Sequence, residues 1–441
     1  MAQILPSLLL LLLPLTITSA STTKPGFHIE LINRFSPRSP FNTTKSGNLA
    51  QRLLQQSQTH FAHLKKTIFT GVNTTAMRPP IFEQDQLYLA VIGIGTGNEA
   101  KVYYLDMDTG SGLTWIQCQP CNPCFPQTTG TFNPSTSPTY RHMPCDDPLC
   151  VRPYGCIFGV CKYMLSYADG SYITGDLSTE TFNFPTSPSG GQFESIPDLA
   201  FGCTHGSGGM TGYTGGILGL DSSPQSIINQ LIDRTGGLFS YCLFHPTEAS
   251  GDSYLSFGND IVMNGPVQTT PLLDSDSLYY VNLIDISVAD QRLNLPPGTF
   301  DRKADGTGGC IIDSGAAMSY MIAGAYDVMR GVLVGYFRSL NLVRVNGADF
   351  GMSDYKLCCL MPASGLGNLP SVTFHLQGAD LQVGPKELYV TDDQQRVFCL
   401  GVFRNKKTTD IGAHQQFNTR FKFDIVNMVL SFVPENCAAP Q

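Results

Sequence analysis

From about residue 85 onward, apolar and polar positions alternate in short runs. Examples are LYLAVIGIG (87–95), KYMLSYADGSYITG (162–175), LYYVNLIDISV (278–288), SVTFHL (371–376) and RFKFDIVNMVLSF (420–432). Val, Ile, Tyr, Phe and Thr fill these runs, and clusters of Gly, Pro, Asn, Asp and Ser separate them. That texture predicts strands joined by turns, so the body is expected to be all-β. Two stretches read as helical, 226–233 and 324–336, and GSGGMTGYTGG (206–216) reads as a flexible loop. The opening MAQILPSLLLLLLPLTITSA is uncharged, Leu-rich and ends in small residues. It predicts a signal peptide over residues 1–20, too short for a stable membrane anchor, although the usual basic residue at its start is missing. No other run reaches spanning length, so no membrane partner is expected.

At 441 residues the chain exceeds one comfortable core and suggests two lobes. Charge divides it unevenly. Residues 21–75 hold seven Lys or Arg and one Glu, a net of +6. The chain totals −8 and the leader is neutral, which leaves −14 on the remainder. A basic presegment ahead of an acidic body predicts a segment held against that body by charge. Both glycosylation sequons, at Asn42 and Asn73, lie in this segment. Net acidity and the lack of a basic stripe exclude nucleic acid as a partner.

Fourteen cysteines, an even number behind a signal peptide, predict disulfides. Cys118, Cys121 and Cys124 have zinc-like spacing, yet no second pair at finger spacing follows, so no metal is expected. GIGTGN (93–98) lacks the last glycine of a dinucleotide fingerprint, and no Walker A, HExxH or GxSxG motif occurs. No organic cofactor is implied.

Two segments remain. LDMDTGSGLTWIQC (105–118) and CIIDSGAAM (310–318) each carry an apolar lead-in, then Asp, a small hydroxyl residue and Gly. One such triplet is usually a turn in which Asp bonds backbone amides. A pair, one per lobe, points further. If the turns of Asp108 and Asp313 meet, two close carboxyls cannot both ionise cheaply and share one proton. One then acts as base and the other as acid on a water between them.

With these residues in view, the chain resembles the pepsin-like aspartic proteases, and within them the plant nepenthesin-like group, from about residue 88 to 437. Asp108-Thr109-Gly110-Ser111 and Asp313-Ser314-Gly315 are similar to the two catalytic triplets. YADGSYITG (167–175) resembles the flap hairpin, with Tyr167 as the flap tyrosine and Trp115 as its partner. GILGL (216–220) and IGAHQQFN (411–418) resemble the apolar-apolar-Gly segments that back each Asp. FGCTHG (201–206), FSYC (239–242) and the cysteine-rich insert after Trp115 also look like this group, and GFHIELINRFSPRSPF (26–41) resembles its inhibitory propeptide.

The resemblance implies a bilobal fold with two β-rich lobes around a cleft. A basic propeptide would span 21–77, an N-terminal lobe 78–258 and a C-terminal lobe 259–441. It also implies cystines Cys118–Cys121, Cys124–Cys203, Cys145–Cys161, Cys150–Cys156, Cys242–Cys437 and Cys358–Cys399, with Cys310 and Cys359 either paired or buried as thiols. Thr109 and Ser314 are expected to bond across the lobe interface. The expected product is a secreted zymogen of an aspartic endopeptidase, monomeric, in the cell wall or the vacuole. Its partners would be polypeptide substrates and its own propeptide.

Several positions depart from the family pattern; Gly97 and Asn98 replace a usual Pro-Pro pair in a loop far from the chemistry, and three others bear on the site. Ala316 stands where a hydroxyl residue is usual, and without that donor the coupled carboxyls should titrate higher. Asp106 adds a carboxylate on the same strand parity as Asp108, and Asp410 takes an apolar place. Ala316 and Asp410 keep a second reading open, a non-catalytic pepsin-fold binding protein similar to plant xylanase inhibitors.

Overall fold

Along the strand Lys101–Asp108 only Tyr103 is buried among the first four residues, and the last four are all buried. The strand thus starts at the surface of a lobe and ends inside it, at Asp108. The structure is a computed structural model that describes residues 26–34, 36, 38–40, 88–166, 172–185, 193–209, 214–245, 253–259, 261–275, 277–392, 394 and 396–438. The segment expected to be a signal peptide, most of the presegment with Asn42 and Asn73, and Tyr167 lie outside the described residues. Strands dominate and helices are few, so the all-β expectation holds.

One antiparallel sheet ties the two halves of the chain together. Its order runs Tyr88–Ile94, Phe27–Asn33, Ser253–Phe257, Leu238–Cys242, Thr419–Asp424, Val429–Pro434, Gln268–Leu273. Aromatic residues dominate its buried face; Phe239 stacks on Phe423 with ring centroids 4.6 Å apart. The presegment strand FHIELIN is inserted between two strands of the body rather than laid on the surface. Phe27, Ile29 and Leu31 alternate into the core, and Phe27 stacks on Phe257. Each such burial is worth about 1.5–3 kcal/mol. His28 and Arg38 add bonds to Ser256 and Glu30.

Each half also repeats one local arrangement. In the first, Lys101–Asp108 runs parallel to Gly216–Gly219, with Asp108 level with Gly219. In the second, Cys310–Asp313 runs parallel to Thr409–Gly412, with Asp313 level with Gly412. Small residues are required there. A Cβ on Gly219 would stand 2.3 Å from the Gly112 carbonyl oxygen, and one on Gly412 would stand 2.5 Å from that of Met318.

The helical segments differ in extent from the sequence reading. Residues 226–233 fall in two single-turn helices, Ile227–Gln230 and Ile232–Thr235, and the second helix is longer than expected, Ala323–Ser339. The loop expected over 206–216 is shortened, because the strand Phe193–Gly208 continues into it.

Four expected cystines are corrected. The bonds are Cys118–Cys203, Cys121–Cys124, Cys145–Cys156 and Cys150–Cys161. Strand register explains them. Trp115–Gln117 is parallel to the strand holding Cys203, with Ile116 level with Cys203, so Cys118 comes within a Cα separation of 5.3 Å. Cys124 is left to close its own short loop with Cys121. In the hairpin of Gly155–Ile157 and Val160–Ser166, Cys156 faces Cys161 directly, and each reaches a different upstream partner. Cys242–Cys437 and Cys358–Cys399 are as expected, and Cys310 and Cys359 are buried thiols.

Candidate active site

Asp108 and Asp313 both have no exposed surface. Each closes a tight turn on itself. The Gly110 amide donates to Asp108 Oδ1 at 2.8 Å, and the Gly315 amide donates to Asp313 Oδ1 at 2.9 Å. The two turns are bonded to each other. The Ser314 amide donates to Thr109 Oγ1 at 2.9 Å, and the Thr109 amide donates to Ser314 Oγ at 3.2 Å. The Thr109 hydroxyl in turn donates to the Ile312 carbonyl at 3.4 Å. Residues 205 apart in sequence are therefore locked in one register, as the two hydroxyl residues of the triplets suggested.

The two sides are not equal. The Ser111 hydroxyl donates to Asp108 Oδ2. Three residues after Asp313 stands Ala316, buried and without a hydroxyl. A donor to an ionised carboxylate lowers its pKa. Ala316→Ser should therefore move the pH–rate profile toward acid, by about half a unit or more. A profile that stays in place in that variant would show that the missing hydroxyl does not set the titration.

The sheet between the lobes backs the site. Tyr241, from FSYC, donates to Gln416 Oε1 at 2.6 Å, and Gln416 donates to the Ile411 carbonyl at 2.7 Å. Burial, and then the charge of Asp313, hold the Tyr241 phenol well above its ordinary pKa, so it stays neutral. Asp106 accepts from the Thr214 hydroxyl at 2.9 Å. Asp410, level with Ile311 and opposite Tyr320, is fully buried, and its charge adds to the effect of burial in raising Cys310 and Tyr320.

Trp115 is buried against Tyr163, Ile173 and Leu177, which belong to the two strands of the hairpin that carries residues 167–171. It lies under the base of the expected flap, edge-on to Phe125 at 6.2 Å.

His414, two residues past Gly412, is fully buried. Burial, then the neighbouring His245, lower its pKa to about 3. The unfolded chain takes up a proton at this histidine near pH 6.5, and the folded chain does so only near 3. Stability from this group is therefore present above the unfolded value and is lost as pH falls from about 6.5 toward 3. Replacing His414 by Phe should flatten the fall in melting temperature over that interval. An unchanged slope would contradict the assignment.

Comparison with known proteins agrees with this geometry. Residues 88–259 match a family model described as xylanase inhibitor N-terminal, and residues 278–434 match one described as xylanase inhibitor C-terminal. The chain is 31% identical to aspartic proteinase nepenthesin-2 of Nepenthes gracilis over 94% of this chain and 91% of that protein. It is 33% identical to nepenthesin-1 of the same plant, with the same coverage. The chain belongs to the plant pepsin-like aspartic protease family. Among solved structures, the crystal structure titled edgp superposes with a TM-score of 0.65 at 19% identity, over 82% of this chain and 96% of that one. At that identity the likeness concerns the fold alone.

Sequence reasoning missed one residue at this site. Asp221 follows directly on GILGL, and its amide donates to the Ser111 carbonyl at 3.0 Å. Its only signal in the sequence was a carboxyl one residue past a segment already identified as backing Asp108.

Proposed function

We propose that the protein is an aspartic endopeptidase made as a zymogen and exported. The observation that carries this reading is the reciprocal Thr109–Ser314 link, which brings two matching Asp turns together at one place. Thr109, Gly110, Ser111, Ser314 and Gly315 support the two carboxyls there.

In this reading Asp108 and Asp313 share one proton and hold a water between them. The ionised carboxylate takes a proton from the water as its oxygen bonds to the peptide carbonyl carbon. The protonated carboxyl gives its proton to the carbonyl oxygen, forming a gem-diol. The proton taken from water then passes to the amide nitrogen and the C–N bond breaks. A diol hydroxyl proton returns to the pair, which regains its single shared proton. Substrates are extended polypeptides with apolar residues around the cleaved bond; by the family resemblance Tyr167 is the flap tyrosine that covers them, and the buried Trp115 backs it. The scheme needs no metal or organic cofactor.

The inserted strand Phe27–Asn33 and the positive charge of the presegment support a propeptide role for residues 21–77. Acidification would weaken its hold by protonating carboxylates of the acidic body. Six cystines support an oxidising compartment, the cell wall or the vacuole.

The test is cleavage of denatured globin across about pH 2.5–7 by purified protein from which the presegment has been removed. The reading predicts acid proteolysis that a statine-type transition-state analogue blocks. Absence of cleavage after verified removal would favour the second reading, a binding protein of this fold, for which Ala316 and the buried Asp410 speak.

A further inference from the structure

Asp221 lies beneath the turn that carries Asp108. Both of its carboxyl oxygens pack on Gly112: a Cβ built there would stand 2.6 Å from Oδ1 and 2.9 Å from Oδ2. Its backbone is bonded into the same turn. The Leu220 amide donates to the Asp108 carbonyl at 2.9 Å, and the Asp221 amide donates to the Ser111 carbonyl at 3.0 Å. Ser111 is the residue whose hydroxyl donates to Asp108. The Ser223 amide and hydroxyl donate to Asp221 Oδ1 at 2.7 and 2.5 Å.

The same residue reaches the segment that backs Asp313. The Ser277 side chain bonds the Asp221 carboxyl, and the Ser222 amide donates to the Ser277 carbonyl at 2.9 Å. Two residues on, Tyr279 donates to the Leu220 carbonyl at 2.7 Å, and its own carbonyl accepts from the Ile312 amide at 3.0 Å. A second path thus joins the two Asp turns, behind the Thr109–Ser314 link, and a carboxyl sits on it.

Resting on the protease reading above, we propose that Asp221 is a positioning residue of the catalytic apparatus, whose charge opposes that of Asp108 and so keeps the Asp pair singly protonated to higher pH. The charged and titratable groups that face it, among the described residues, are Asp108 from its own lobe, Tyr154 from the cysteine-rich insert and Tyr279 from the other lobe. Burial holds both tyrosines neutral in the range that matters. Asp108 acts on the carboxyl as a like charge. Burial first, and that charge with it, push Asp221 up to about 6.

Coupling is reciprocal. If Asp108 resists ionisation of Asp221, a charged Asp221 resists loss of the last proton from the Asp pair. Removing the charge should let that proton leave at lower pH.

The experiment measures kcat/KM against pH for wild type and Asp221→Asn on a fluorogenic peptide with apolar residues around the cleaved bond. The basic limb is expected to move toward acid by about one pH unit. A limb that stays in place, with or without a lower plateau rate, or one that moves upward, overturns the proposal and leaves Asp221 a packing role. Asp221→Ser replaces the Asn variant if the latter does not accumulate folded.

A second readout needs no turnover and separates this proposal from the protease reading. Melting temperatures are followed from about pH 4 to 7 for wild type, Asp221→Asn, Asp108→Asn and the double variant. The raised carboxyl contributes stability that is present below about 4 and is lost as pH rises through about 6. That loss should vanish in Asp221→Asn and shrink in Asp108→Asn. Equal pH dependence in all four proteins overturns the coupling. Coupling without any cleavage by wild type would instead sink the protease reading alone.

Discussion

Asp108→Asn should lower kcat/KM for peptide cleavage by at least about a thousandfold, and Asp313→Asn should do the same. The magnitude follows from the loss of acid–base catalysis, which is worth about 10²–10⁴-fold where a positioned group moves the proton. The two effects should not add. Either substitution removes one half of a pair that works only with one shared proton, so the double variant should be no slower than each single one. Folding should survive, because Asn keeps an oxygen for the Gly110 or Gly315 amide that the Asp now holds. The check is single-variant and double-variant kinetics, with circular dichroism to confirm that each protein is folded. Multiplicative losses would mean two independent roles rather than one dyad.

Gly219→Ala is expected to harm both fold and activity, although it adds a single methyl group. Gly219 lies level with Asp108 on the neighbouring parallel strand. The new Cβ would meet the Gly112 carbonyl oxygen at 2.3 Å and that of Ser111 at 2.9 Å. Both atoms are backbone of the turn that holds Asp108, so the methyl group cannot be accommodated by rotating a side chain. Overpacking of this kind costs about 1–3 kcal/mol. A displacement of about 1 Å at the reacting groups costs about a hundredfold in rate. Both losses are expected together. Gly331→Ala supplies the contrast: it lies in the helix Ala323–Ser339 with no atom near its Cβ position. There the change should be neutral or stabilise by about 0.4–1 kcal/mol. Equal behaviour of the two variants in thermal melts and kinetics would refute the steric account.

Much of this arrangement was legible in the sequence because it depends on local pattern. Strand texture announced the all-β body, and the two triplets with their hydroxyl residues announced the paired turns. The link between Thr109 and Ser314 followed from the family resemblance of the two triplets, and both of its bonds are present. What stayed hidden depends on register between strands far apart in the chain. Cys118 bonds Cys203 rather than Cys121 because Ile116 is level with Cys203, and no count of residues between cysteines carries that information. The presegment strand shows the same limit. FHIELIN alternates as a strand should, yet its insertion between Tyr88–Ile94 and Ser253–Phe257 is set by a sheet formed from both halves of the chain. Asp221 is the clearest case. A carboxyl after GILGL looks like a loop residue until its two neighbours in space, Gly112 and Ser277, prove to lie far apart in the chain.

Two features bear on the titration proposed for the site. Ala316 withholds a hydroxyl from the Asp313 turn, and Asp221 places a second acid behind the Asp108 turn. His414 stands two residues past Gly412, as Asp221 stands two residues past Gly219. Between about pH 3 and 6 the two buried groups are both uncharged.

Calorimetric titration of the processed protein with a statine-type analogue at about pH 4.5 tests the central claim most directly. In the proposed mechanism the analogue's hydroxyl would take the place of the water between the two carboxyls. The account predicts one analogue bound per chain, with binding weakened by at least about a hundredfold in Asp108→Asn and in Asp313→Asn. No binding by the wild-type protein, or equal binding by the wild type and both variants, would contradict it.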